Sequence, residues 1–215
     1  MKRRRPRPSL EREAALWRAG GAFVAGLDEA GRGPLAGPVV AAAVVFPPHS
    51  PPIRGLDDSK RLSPAQRARL AGVVRQRATV ALGAASVREI DRLNIRRASI
   101  LAMRRALARL PLRPSHVLLD GLPCPELGCP HEAIIDGDAR CQSIAAASVI
   151  AKTVRDLLME RLAARYPAYA WAANKGYATA AHLEALFGHG STPHHRQSFG
   201  PVAQLALAVG WGRTG

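Results

Sequence analysis

The chain has 215 residues, 47% of them hydrophobic, with 31 lysines and arginines against 16 aspartates and glutamates and a formal net charge of +15. That length suits one sizeable core, and no apolar run reaches the roughly eighteen uninterrupted residues that a membrane-spanning helix needs. The excess of cations points to a polyanionic partner, most simply nucleic acid, while three cysteines without a secretory signal argue against a disulfide framework and for the cytoplasm.

Residues 1–8, MKRRRPRP, form a basic, proline-broken stretch expected to be disordered, within an N-terminal arm assigned to 1–20. Glu11, Arg12 and Glu13 follow it where a signal peptide would need an apolar run, and the acids also argue against an arginine-rich transit peptide. A short helix is expected over 9–18, broken by Gly20-Gly21. The apolar run Ala22 to Leu27 reads as a buried strand ending on two adjacent carboxylates, Asp28 and Glu29. Gly31, Arg32, Gly33 and Pro34 make a turn, and a second strand over about 37–46 completes an antiparallel pair. Pro47, Pro48, Pro51 and Pro52 make the next segment an extended loop.

Ser63-Pro64-Ala65-Gln66 opens a helix with a capping box and a proline at its first position, and the helix runs to about Arg77. A third strand is expected over 79–87, with a second capping box between Ser86 and Glu89. Over 94–110 the apolar positions Ile95, Ala98, Ala102, Ala106 and Leu110 share one helical face, leaving Arg97, Arg104 and Arg105 on a solvated one. His116 to Leu119 is a short strand finishing on Asp120, and Glu132 to Ile135 is a fifth that leads to Asp136 and Asp138. The longest helical pattern covers 141–166 and is closed by Pro167. Beyond it the chain is punctuated by glycine, histidine and proline, with helices expected over 179–187 and 201–209. Strands, a helical block, two more strands and a long helix make an α/β fold, a mixed sheet flanked by helices. Residues 21–166 form its core and 167–215 a C-terminal helical part.

Two acids at the end of a buried strand are costly unless a cation meets them, and a divalent metal is the natural one. A strand end capped by a polar turn would explain the same pair. The surrounding string separates these alternatives, because GLDEAGRGPLAGPVVAAAV resembles the signature of ribonuclease HII. Its partner blocks recur in order: LDDSKRLS at 56–63, VLLDG at 117–121, DGDARCQSIAAASVIAKTVRD at 136–156 and NKGYATAAH at 174–182.

The resemblance implies a ribonuclease H-like fold, a five-stranded mixed sheet with an added C-terminal helical part. It also implies an acidic quartet, which falls on Asp28, Glu29, Asp120 and Asp138 and would hold two Mg²⁺ or Mn²⁺ ions. Such a pair serves in-line hydrolysis of a phosphodiester, leaving 3′-hydroxyl and 5′-phosphate ends. Gly137-Asp138 matches the family's glycine-aspartate pair, so Asp138 is preferred to Asp136, and the rival acids Asp57 and Asp58 are assigned to loop structure. Phosphate contacts fall in the blocks holding Lys60, Ser148 and Lys152. In the family, the amides of the Gly31-Arg32-Gly33 loop sense a ribose 2′-hydroxyl and a tyrosine, here Tyr177, stacks on the neighbouring sugar. A tyrosine at this place could equally pack the C-terminal helices. Asn174 stands where the family form has histidine, and His194-His195-Arg196 belongs to a C-terminal block expected to be structural or substrate-facing. Cys124, Cys129, His131 and Cys141 fit zinc spacing poorly. The expected protein is a monomeric, metal-dependent endoribonuclease acting on RNA–DNA hybrids and on ribonucleotides embedded in duplex DNA. The rival from another class is a non-catalytic nucleic-acid-binding protein on the same fold. Ribonuclease HIII is the nearest enzymatic relative, but it carries a long N-terminal domain where only some twenty residues precede the first strand here.

Overall fold

Residues 7–211 are described by the computed structural model, so of the basic stretch 1–8, expected to be disordered, all but Arg7 and Pro8 lies outside them. Five strands form one mixed sheet: β1 (Val24–Ala30), β2 (Val39–Val45), β3 (Thr79–Ala85), β4 (His116–Asp120) and β5 (His131–Ile134). Their order is β3-β2-β1-β4-β5, with β2 antiparallel to both neighbours and β1, β4 and β5 mutually parallel. Around it lie α1 (Glu11–Arg18), α2 (Pro64–Arg77), α3 (Val87–Leu93), α4 (Ile95–Ala108) and α5 (Gln142–Arg165). Three shorter helices follow: α6 (Trp171–Asn174), α7 (Ala180–His189) and α8 (Gly200–Trp211). No helix among the described residues is long and apolar enough to cross a membrane.

Because strand side chains alternate between faces, β1 and β2 feed two separate cores. Ala25, Leu27, Val39, Ala41 and Ala43 meet Ala98, Ala102 and Ala106 of α4 on one face. Ala42 and Val44 meet α2 and the Ala145–Ala147 run of α5 on the other. Covered on both faces, these strands read as nearly unbroken apolar runs. Helix α5 lies so close to β1 that a Cβ on Gly26 would run into the Ser143 backbone. That closeness brings the next turn of α5, with Ser148, over the C-terminal end of β1.

Both capping boxes form as the sequence requires, at Ser63–Gln66 and Ser86–Glu89. Several elements differ from expectation. β1 does not stop at the acids but carries both of them through to Ala30, because β2 stays paired with it as far as Ala30↔Val40. The second capping box opens a separate helix, α3, which breaks at Asn94 (φ 68°) before α4. Arg105 is no merely solvated cation: it forks onto Glu89 at 2.7 and 3.0 Å and donates to Ala84 O. Helix α6 was not foreseen, since four residues between prolines and glycines carry no periodicity.

One link crosses the length of the chain. Glu13 of α1 is wholly buried, and its Oε1 accepts from the Ser143 amide (2.8 Å) and hydroxyl (2.6 Å), capping α5 where Cys141 supplies no side-chain cap. A carboxylate at a helix N-terminus satisfies its orphan amides and its dipole. Replacing Glu13 with alanine should lower unfolding free energy by about 1–3 kcal/mol, read as a fall in denaturation midpoint. A change within a few tenths of a kcal/mol would show that the contact does not hold α1 in place.

Candidate active site

The parallel pair β1–β4 ends at Leu27↔Leu119, while β1 runs on against β2 alone. A crevice therefore opens at the carboxyl ends of these strands, where ligands of α/β sheets are commonly bound. Asp28 and Glu29 lie on one side of it and Asp120, the last residue of β4, on the other. Asp138 sits in the short turn Gly137–Ala139 after β5 and is buried, whereas Asp136 is exposed. Asp120 Oδ1 accepts from the Gly137 amide at 2.7 Å, which ties that turn to the end of β4.

All four carboxyls are held above the ordinary carboxylate range. Burial lifts Asp28 well above it, and the charges of Glu29 and Asp120 add to the effect. Burial also raises Glu29, against the opposing pull of Arg32, which pairs with it at 3.2 Å, and it raises Asp120. Asp138 is pushed up to about 6 by burial and then by Asp58 and Asp120. Burial pulls the Lys60 ammonium down, but Asp58, Asp138, Asp28 and Asp120 outweigh it and the net shift is upward. Clustered oxygens that resist carrying charge are the donor set a hard divalent cation would relieve. Among the described residues no three acids close into a preformed cage.

The sign of the Asp138 shift gives a test. Its folded pKa lies above the unfolded value of about 3.9, so ionisation destabilises the metal-free fold; the penalty is absent below the unfolded pKa and complete above the folded one, at about 6. Asp138→Asn should therefore stabilise the metal-free protein by roughly 3 kcal/mol at pH 8 and lose most of that advantage near pH 4. Calorimetry in chelator reads it, and a lower melting temperature for the variant at pH 8 would contradict it. The difference between variant and parent matters here, because buried His195, held down at about 4 by burial and then by His182 and His194, gives the whole protein an opposite acid response.

A cleft of about 310 Å³ is lined by ten of the eleven site residues expected from the sequence, Asp28, Glu29, Gly31, Arg32, Gly33, Lys60, Asp120, Ser148, Lys152 and Tyr177, while Asp138 lies outside its lining. A larger hollow near Pro111 and Pro130 has no acid in its lining. Ser148 Oγ donates to Ser59 Oγ at 3.0 Å, and its hydroxyl also faces Asp28. Lys152 is held at 2.7 Å by Asp156, which Arg67 also reaches at 3.3 Å. Tyr177 is 46% exposed, its ring edge lies over Gly33, and it lines the cleft.

Asn174 and the histidines hold that tyrosine. Asn174 Nδ2 donates to Tyr169 O and its Oδ1 accepts from the Gly176 amide, fixing the turn before Tyr177. His182 Nδ1 bonds Tyr177 O at 2.8 Å, while its Nε2 meets Trp171 Nε1 at 3.0 Å and His195 Nε2 at 3.1 Å. Asp58 was missed as a neighbour of the site. Its Oδ1 caps the Ser59–Arg61 turn through the Lys60 amide, and its charge also acts on Asp138. The cysteine set does not converge on a metal: His131 uses one ring nitrogen toward Cys129 O and the other to accept from the Cys124 amide.

The family model described as Ribonuclease HII matches residues 25–202. Ribonuclease HII of Paracoccus denitrificans is 54% identical over 199 residues, covering 92% of this chain and 94% of that protein. Ribonuclease HII of Maricaulis maris is 58% identical over 181 residues, covering 83% and 82%. Among solved structures, ribonuclease H2 of Pyrococcus horikoshii superposes with a TM-score of 0.72 at 24% identity, over 86% of this chain and 98% of that one. The Bst ribonuclease HIII in complex with Mn²⁺ gives 0.71 at 21% identity, over 90% and 72%. At such identities the two structures speak for the fold alone.

Proposed function

The chain belongs to the ribonuclease HII family, metal-dependent endoribonucleases of RNA–DNA hybrids, and we propose that it also cuts 5′ of ribonucleotides embedded in duplex DNA. The observation that carries this reading is the cleft that sets Asp28, Glu29 and Asp120, with Asp138 acting on Asp120 from the neighbouring turn, beside an exposed tyrosine and a glycine-rich turn. Asp28, Glu29, Asp120 and Asp138 would hold two divalent cations, Mg²⁺ or Mn²⁺ by their all-oxygen donors. When bound, the cations supply activation of water and stabilisation of the leaving oxygen. Around them, Lys60, Ser148 and Lys152 take the backbone phosphates. The amides of Gly31, Arg32 and Gly33 select the 2′-hydroxyl, which alone distinguishes ribose from deoxyribose at this position. Tyr177 stacks on the adjoining sugar, and residues 167–215 serve as the substrate-binding part that carries it. We take the working unit to be a monomer and the compartment to be the cytoplasm, where its three free cysteines stay reduced.

The test is a labelled DNA duplex containing one ribonucleotide, incubated with Mg²⁺ or Mn²⁺. A single cut 5′ of the ribonucleotide, abolished by chelator and restored by added metal, is expected. Cleavage restricted to continuous hybrids would remove the embedded ribonucleotide from the substrate range.

A further inference from the structure

The loop between β1 and β2 rests on two buried guanidiniums. Arg155 of α5 and Arg196, four residues before α8, are both 0% exposed. Arg155 donates to Pro38 O (3.1 Å), Ala36 O (3.1 Å) and, across to the next segment, Lys175 O (3.0 Å). Arg196 donates to Gly31 O (2.6 Å), Arg32 O (2.8 Å) and Gly37 O (2.9 and 3.0 Å). Neither forms an ion pair with a carboxylate among the described residues. Unpaired buried cations are expensive. Burial pushes Arg196 down to about 9, with Arg155 adding to the effect. A planar fork of five donors serves several carbonyls at once in a way that an ammonium cannot.

The consequence reaches the cleft. With the carbonyls of Gly31 and Arg32 drawn to the core, the amides of Gly31, Arg32 and Gly33 are left unused by any hydrogen bond among the described residues. Gly31 has a φ of +98°, and a Cβ there would run into the Arg155 side chain. Glycine is thus required at 31 by the arginine beneath the loop as well as by any ligand above it.

We propose that Arg155 and Arg196 are positioning residues for cleavage, holding the loop's carbonyls inward so that its amides face the substrate, and tying the loop to the Tyr177 segment through Lys175 O. This rests on the function proposed above. Steady-state cleavage of the single-ribonucleotide duplex by Arg196→Lys, Arg155→Lys and Arg196→Ala tests it. The lysine variants should lose about tenfold or more in kcat, since a 1 Å misplacement can cost about a hundredfold. KM should move less than about threefold, because phosphate contacts dominate affinity. Free guanidinium at matched ionic strength should restore part of the activity of Arg196→Ala. Should these variants not fold, Phe199→Leu, which removes the ring 4.9 Å from the Arg196 guanidinium and keeps an apolar side chain against the two clusters Phe199 packs on, carries the same comparison of kcat with KM. Unchanged kcat, a loss confined to KM, or no recovery with guanidinium would overturn the positioning role. A parent enzyme that fails to cut this duplex would instead overturn the functional reading beneath it.

Discussion

Asp120→Asn and Asp138→Asn are each expected to reduce cleavage on the order of a thousandfold, the scale lost when one pre-organised electrostatic partner is removed from a reacting centre. Duplex binding should stay nearly intact, because neither residue belongs to the basic groups that meet phosphate. The fold should survive both changes. Asparagine at 120 keeps an oxygen for the Gly137 amide, and at 138 it relieves a carboxyl that burial already holds near a pKa of about 6. Activity assays beside a binding isotherm separate the two effects. Full activity in either variant would take that residue out of the metal site, and a parallel loss of binding would make it a substrate contact.

What the sequence carried and what it hid divide along sequence separation. The capping boxes at Ser63 and Ser86 are three-residue motifs, complete in their own spacing, and both form. β1 and β2 announce themselves as apolar runs because helices cover both their faces. The acids were legible by position, each near a strand end, although β1 in fact passes through its pair. The buried charges outside the acidic quartet, Glu13 and Arg196 among them, were not legible. Glu13 meets Ser143 from 130 positions away, and Arg196 meets Gly31 from 165. Nothing in composition or periodicity distinguishes such groups from a solvated Arg97 until the chain has folded. Asp58 was set aside for the same reason: its local role as a turn cap is visible, and its approach to Asp138 is not.

Tyr177→Ala should divide a junction enzyme from a general hybrid nuclease. The ring is free to stack, being half exposed at the cleft beside Gly33, while its backbone is pinned at both ends. The Tyr177 amide donates to Asn174 O at 2.9 Å and its carbonyl takes His182 Nδ1 at 2.8 Å, so the turn should persist without the ring. Base or sugar stacking on an aromatic is worth about 1–3 kcal/mol, which predicts a loss of roughly tenfold or more on a single embedded ribonucleotide. A tyrosine on the following sugar favours deoxyribose there, because a 2′-hydroxyl would crowd the ring. Continuous hybrid never satisfies that preference, so its cleavage should fall less. Dividing the loss on one substrate by the loss on the other cancels any general damage to the fold. Tyr177→Phe, which keeps the ring, should behave as the parent does. Equal losses on both substrates would leave Tyr177 as a non-selective contact, and the choice of junction would then rest on the loop amides that Arg155 and Arg196 hold in place.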